Sequence, residues 1–453
     1  MWWKCGYLIA LALIVAVLSR GISMGEGAGP GGGDHQAPEQ LTLQQALSLA
    51  LQHSPDVAAA ERRLEAARAL VGEAEAGFYP KINVSEQYTD TNNPVGAFMS
   101  VLNQRRFSFD VDFNHPRPTE NFNTRLSLTQ PLFSGGRTVI ARRIARTTVE
   151  RSADDLRRVH HDLMFEVTQA YFVVLQAQEL VTVQREAVAQ VEAQLALAKA
   201  RFGAGTAVRS DVLSVDVRLA EVREELIKAQ NRLALSQAAL NAILGVELER
   251  PFVLSPESRV DALEARLEEV RKAALERRPE VARLRKERVI GEERLRLARA
   301  EYLPTLNVVA AYDLDSQNFS RLEDSWQVGV ALHLNLFDGF ATAAKVRQAR
   351  HNIEEIKALE RRLELDIQLE AKEAFLSVQE ARDRIRVAAK SVQQAEESLR
   401  IIETRYRGEI ALVTEVIDAQ VALTGARTRL VTARFAEQIA LARLRRAIGG
   451  PVQ

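Results

Sequence analysis

Few side chains in this 453-residue chain are spaced for chemistry. The only histidine pair, His160-His161 followed by Asp162, offers metal-ligand types. Neighbours on a helix point about 100° apart, so their donor atoms diverge and a solvated surface is the simpler reading. Glu415 and Asp418 stand three apart on a segment with helical periodicity and share one face. Two carboxylates so placed attract cations when they line a pore, and are otherwise ordinary exposed charges. No zinc-protease helix motif, phosphate-cradling glycine loop or nucleophile elbow occurs, and Gly135-Gly136 sits where two elements meet. Four methionines are too few to line a path for soft metals. The chain displays no pocket constellation for an enzyme, so neither catalysis, a bound metal nor a cofactor is expected.

The elements that carry these residues are exported. Lys4 precedes an apolar run from Tyr7 to Leu18, and small residues from Ser19 to Ser23 follow, so residues 1–23 read as a signal peptide. About a dozen apolar residues are too short to span a bilayer core. Cys5, the sole cysteine, lies before the run, which argues against both lipidation and a disulfide. Residues 24–40 form a Gly-rich leader with too few apolar groups to pack. Lys plus Arg and Asp plus Glu each number 60, so no net field points to nucleic acid.

The rest of the chain is a duplication. Pro55-Asp56-Val57 recurs as Pro279-Glu280-Val281, and Tyr79-Pro80-Lys81-Ile82-Asn83 as Leu303-Pro304-Thr305-Leu306-Asn307, at one constant spacing. Leu132-Phe133-Ser134-Gly135 recurs as Leu336-Phe337-Asp338-Gly339, Ala170-Tyr171 as Ala374-Phe375, and Arg201-Phe202 as Arg405-Tyr406, at a shorter one. The first copy therefore carries an insertion of about twenty residues between Asn83 and Leu132, and Thr91 to Glu120 reads as a long loop.

The copies are 41–250 and 251–453. In the first, strands are expected at 81–90 and 121–130 and long helices at 135–201 and 210–244; in the second, strands at 304–313 and 325–336 and helices at 339–405 and 414–448. From Val212 to Ile243, and again from Val346 to Ile402, apolar or small residues recur every three or four positions, the seam of a coiled coil. A helix of roughly 65 residues is a rod on the order of 100 Å, longer than a globular core needs.

The strands alternate instead: Ile82, Val84 and Tyr88; Phe122, Leu126 and Leu128; Leu306, Val308, Ala310 and Tyr312; and Trp326 through Leu336. Segments of about ten such residues fit tilted membrane-spanning strands. Phe78, Tyr79, Phe133, Tyr302, Phe337 and Phe340 mark the ends nearest the helices, where an interfacial girdle lies. Four strands cannot close a barrel, and an open edge is intolerable in lipid, so the chain must oligomerise.

This arrangement resembles the TolC family of outer-membrane efflux proteins. The resemblance covers Leu41 to Gly449 and rests on several motifs in order: Leu41-Thr42-Leu43 through Ala50-Leu51 with Pro55, the junctions at Pro80 and Pro304, and Pro131-Leu132-Phe133-Ser134-Gly135-Gly136, repeated at Phe337 and Gly339. Asn93-Pro94 and Leu102-Asn103-Gln104 with Phe107 also fit. It implies a mainly α fold with a transmembrane β-barrel portion: a homotrimer with a twelve-strand barrel in outer-membrane lipid and an α-helical tunnel in the periplasm. It further implies docking on a periplasmic adaptor protein and an inner-membrane pump of RND or ABC type, serving efflux or type I secretion.

The resemblance also implies a gate at the turns between the long helices. Glu415 and Asp418 would form two carboxylate rings, while Asp211 and Tyr406 would join polar links that hold neighbouring helices shut. The chain departs from the pattern in two places. Ala411 replaces a linking arginine, leaving Arg209, Arg405 and Arg407 as candidates, and Glu409 occupies the place of a glycine that falls one position earlier, at Gly408. The alternative identity is a periplasmic coiled-coil adaptor, which has one helical hairpin where this chain has two.

Overall fold

The computed structural model describes residues 39–450 apart from 111, 113 and 262–264. The signal peptide and nearly all of the leader lie outside them. Two heptad seams become two helical hairpins. In the first, α4 (Arg137–Gly203) turns into α5 (Arg209–Leu244); in the second, α8 (Ala341–Arg407) turns into α9 (Val413–Ala447). The shorter helices α1 (Leu43–His53), α2 (Pro55–Ala76), α6 (Leu267–Arg277) and α7 (Pro279–Arg299) precede the strands of their copies. Pro55 and Pro279 open α2 and α7, where a missing N–H costs nothing.

The two copies pack side by side. Along one half of the rods α4 lies between α2 and α7, with α7 against α8; along the other half α4 lies between α5 and α9, with α9 against α8. Charged pairs stitch the seams, as in Arg151–Glu287 between α4 and α7, and in Arg427 of α9, which reaches Glu186 on α4 at 2.8 Å and Glu396 on α8 at 2.9 Å. The helices begin where backbone geometry allows. Gly135 and Gly136 have φ of +64° and +82°, and Gly339 and Phe340 +65° and +67°, so α4 starts at Arg137 rather than 135 and α8 at Ala341 rather than 339.

Midway along the rods sits the main core, built on Tyr171, Phe172, Leu240, Leu244 and Leu444. The wholly buried Tyr171 hydroxyl lies 2.9 Å from the Leu41 carbonyl, 3.0 Å from that of Ser255 and 3.1 Å from Ser258 Oγ. It thereby pins to α4 the small sheet of β1 (Glu39–Leu41) and β4 (Phe252–Leu254). The second copy has Phe375 at the matching place, so only one of the two repeats carries this pin. Beside it, Arg278 reaches Glu280 and Glu370, and Arg446 reaches Glu370 at 2.6 Å and Asp162 at 2.7 Å. Burial alone raises the Glu280 carboxyl, yet the adjoining Arg278 guanidinium outweighs it and holds the group below its ordinary range.

The second sheet runs β2-β3-β5-β6, antiparallel throughout: β2 (Lys81–Thr91), β3 (Thr119–Phe133), β5 (Thr305–Ser316) and β6 (Glu323–His333). β6 stops short of the expected 336. Its last residue, His333, pairs with Thr305, the first of β5, and Pro304 before it has no N–H to extend the ladder. A second correction concerns Thr91 to Glu120, expected as loop. It contains a helix, α3 (Pro94–Asn103), whose first turn is capped by the Asn93 side chain accepting from the amides of Val95 and Gly96.

Replacing Tyr171 by Phe removes one hydroxyl and leaves buried carbonyls with one partner fewer. The thermal midpoint should fall by the equivalent of about 1–2 kcal/mol, read by circular dichroism in detergent. Phe375→Leu, which removes no hydrogen bond, should leave the β1–β4 pairing protected against amide exchange.

Candidate channel surfaces

The register of the sheet sorts its side chains onto two faces. Val84, Leu126, Tyr312 and Trp326 stand opposite one another across all four strands, as do Ile82, Leu128, Ala310 and Val328. Val308 faces Val330, Leu306 faces Leu332, and Tyr88 faces Phe122, ring against ring at 4.8 Å. This apolar face is uncovered: Ile82 is 63% exposed, Leu332 69% and Trp326 73%. The other face holds Ser85, Gln87, Asn123, Arg125, Ser127, Asp313, Ser325 and Gln327. Arg125 pairs there with Asp313 at 2.7 Å. A sheet with apolar groups outside and ionic groups inside inverts the usual soluble arrangement and fits a barrel wall between lipid and water. Among the described residues no helix is long and apolar enough to cross a membrane.

The junctions tie this wall to the rods. Pro80 and Pro304 each stand immediately before a strand. A Cβ on Gly135 would sit 2.9 Å from the Leu303 Cβ and 3.1 Å from the Ala300 carbonyl, so the first copy's strand-to-helix turn is wedged against the second copy's helix-to-strand turn. At Gly339 nothing approaches within 4 Å. There the Asp338 carboxylate accepts from the Thr342 amide at 2.8 Å and from the Thr342 hydroxyl, which holds its pKa below the usual range. Phe133 and Phe337 are both exposed at this level.

At the far end of the rods a second core, including Val191, Leu195, Val215, Leu219, Leu399, Val413 and Val416, joins the two helical turns. Tyr406 is buried in it, and its hydroxyl has no hydrogen-bond partner among the described residues. The Arg201 guanidinium stacks 4.5 Å over the Tyr406 ring and donates to the carbonyls of Tyr406 and Arg407, each at 2.9 Å. Asp211 lies in the first turn of α5, half-exposed. Glu415 accepts from the Leu412 amide at 3.1 Å, capping α9, and stands 4.0 Å from Arg405. Asp418 is exposed one turn on. Among the three arginines considered, Arg405 thus faces Glu415 and Arg407 faces Glu403 at 3.9 Å, while the residue that bridges the two turns is Arg201. At the histidine pair, Asp162 is engaged by Arg158 and Arg446.

The model of the outer membrane efflux protein family matches residues 46–246 and 270–450. The chain belongs to the outer membrane efflux protein family. Its members sit in the outer membrane with a helical tunnel in the periplasm, so the adaptor alternative falls away. Among curated relatives, the protein CyaE of Bordetella pertussis is 26% identical over 87% of this chain and 81% of its own length. The alkaline protease secretion protein AprF of Pseudomonas aeruginosa is 26% identical over 89% and 84%. The solved structure of the outer membrane protein VceC from Vibrio cholerae superposes with a TM-score of 0.75 at 21% identity, covering 91% of this chain and 97% of that one. As an efflux-family channel the chain is recognised by its repeat, but two of its features escaped the sequence. Arg201 is one arginine among many, and only the fold places it beside Tyr406. Helix α3 was signalled by Asn93-Pro94, a side-chain cap followed by proline at the first helical position.

Backbone geometry gives two opposite expectations for this efflux-family chain. Gly135→Ala should destabilise by about 1–3 kcal/mol, because a left-handed φ and the Leu303 contact both oppose a methyl group. Glu409, at φ +61°, takes a left-handed conformation that favours glycine. Glu409→Gly should therefore stabilise by about 0.5–1 kcal/mol. Thermal unfolding of the purified variants reads both signs.

Proposed function

We propose that three copies of this chain close into a twelve-strand barrel and a continuous helical tunnel. The assembly acts as the passive exit duct of a tripartite export system, carrying solutes from periplasm to exterior. The observation that carries this reading is the exposed apolar face of a sheet whose two edges, β2 and β6, are unpaired. Strand direction alternates from β2 to β6, so β6 of one copy meets β2 of the next antiparallel, and a ring of three leaves no free edge. The rods offer matching edges, α8 on one side and α2 and α5 on the other, where Leu213, Val217, Leu365 and Leu369 are exposed.

The tip made by the two helical turns would dock on a periplasmic adaptor, which passes cargo from an inner-membrane pump of RND or ABC type. AprF's name ties that relative to protease secretion, which supports a duct wide enough for large cargo when open. Energy is supplied by the pump, and this chain contributes shape, a lipid-facing wall and a gate; it performs no chemistry on its cargo. Arg201 on Tyr406 ties the two turns within each copy, Asp211 in the first turn of α5 joins the links between neighbouring helices, and rings of Glu415 and Asp418 line the narrowed tip.

Outer-membrane fractions should contain a heat-modifiable oligomer three times the mass of the chain. A freely soluble periplasmic monomer would reject the proposal. In planar bilayers Arg201→Ala should raise closed-state conductance about twofold or more, since it removes one stacking contact and two charge-assisted hydrogen bonds. Glu415→Gln with Asp418→Asn should reduce cation preference and block by multivalent cations. An unchanged reversal potential would show that the two carboxylates do not face the permeating ions.

A further inference from the structure

The excursion between β2 and β3 has no equivalent in the second copy, where β5 and β6 are joined by a short turn between Ser316 and Glu323. It leaves the sheet at the end remote from the helices, packs α3 against β3, and reaches over to β6 on the opposite margin. Its contacts with Asn121 and Glu323 fall on the polar face, while Asp324, in register with Leu314, stands at the rim on the other face. Gln104, 2% exposed, donates to the Glu120 carbonyl at 2.7 Å and to Asn121 Oδ1 at 2.9 Å. Arg105 reaches Glu323 at 3.3 Å, Asp324 Oδ1 at 3.2 Å and the Asp324 carbonyl at 3.1 Å. Beneath this crossing Asn121, Asp313 and Asp315 are buried, whereas Ser85, Gln87, Gln327 and Gly329, lower on the same face, are open.

Arg105 also bears a local strain. Its φ of +52° lies in the left-handed region, at the position after the α3 cap where glycine is the usual occupant. A long cation kept there has a use that glycine lacks, which is to fasten the turn to β6.

We propose that α3, Gln104 and Arg105 form an outer gate: a strap laid across the interior of the barrel at its extracellular mouth, latched by Arg105 onto Glu323 and Asp324. The proposal rests on the trimeric-barrel reading, in which three straps converge on one axis and the polar face is the lumen. It places a second constriction in series with the tip, at the opposite end of the duct. Arg105 sets its closure, and a solute leaving the tunnel must displace it.

Thiol accessibility from outside the cell tests this independently of the tip. With Cys5→Ser as background, Ser127→Cys puts a thiol on the polar face below the strap, and Leu126→Cys puts one on the apolar face. A small charged maleimide should modify Ser127→Cys and spare Leu126→Cys; equal reaction at both would show that the barrel reading itself is wrong. A polymer-linked maleimide should modify Ser127→Cys slowly, and about fivefold to tenfold faster once Arg105→Gly releases the latch, as two lost ion pairs allow. Arg105→Gly suits this purpose because glycine favours the same backbone conformation, so the strap keeps its turn and loses only its fastening. Glu323→Gln with Asp324→Asn should reproduce the acceleration from the other side of the latch. Polymer labelling that is equally fast with and without Arg105 would overturn the gate.

Discussion

Backbone hydrogen bonding at the sheet margins governs this molecule. In water an unpaired strand edge is tolerable, but in hydrocarbon each unsatisfied N–H or C=O costs several kcal/mol. β2 and β6 have one partner each among the described residues, and their outward Ile82, Val84, Trp326, Val328, Val330 and Leu332 are exposed. The proposed closure among copies satisfies both demands at once, since the neighbour that pairs the edges also continues a wall whose outer face is mostly apolar along its length. The rods follow from the same closure. Each strand pair ends in a junction that sets where its hairpin starts, so the spacing of the sheet becomes the spacing of the tunnel helices.

The duplication supplies this geometry cheaply in sequence, yet the two copies have diverged where their jobs differ. Tyr171 holds β1 and β4 through its hydroxyl, while Phe375 at the matching place has none to offer. Arg278, at the start of α7, joins two carboxylates of the second copy, where the first copy has the buried Ser54. Gly135 is wedged between elements and Gly339 stands free. The first copy alone carries α3. One repeat therefore contributes anchoring and the strap, and the other contributes the charged seam beside them.

Periodicity made most of this legible from residues alone. Heptad seams and period-two alternation differ in kind, and each persists long enough to outweigh local noise. The faces expected within each strand, such as Ile82 with Val84 and Tyr88, or Ala310 with Tyr312, are the observed ones, and the register sets them side by side. What escaped was set by single residues or by contacts distant in sequence. Leu334 and Leu336 continue the alternation, but Pro304 has already ended the partner strand. α3 is short and its composition resembles that of a loop, so only its cap announces it. At the tip, Glu415 was legible as a carboxylate near a turn, but its engagement with the Leu412 amide and Arg405 belongs to the folded chain. Arg201 lies two hundred residues from Tyr406 in sequence, and no local pattern pairs them.

Tyr171 and Phe375 fall near the middle of α4 and α8, in the main core, with arms of comparable length on either side. Such a beam on a fulcrum converts small angles into large travel. With an arm of about 50 Å, a tilt of about 2° at the waist carries the far end through about 2 Å, the scale of a hydrogen bond made or broken. Leverage of this kind lets a modest push on the flank of the molecule open an aperture at its extremity.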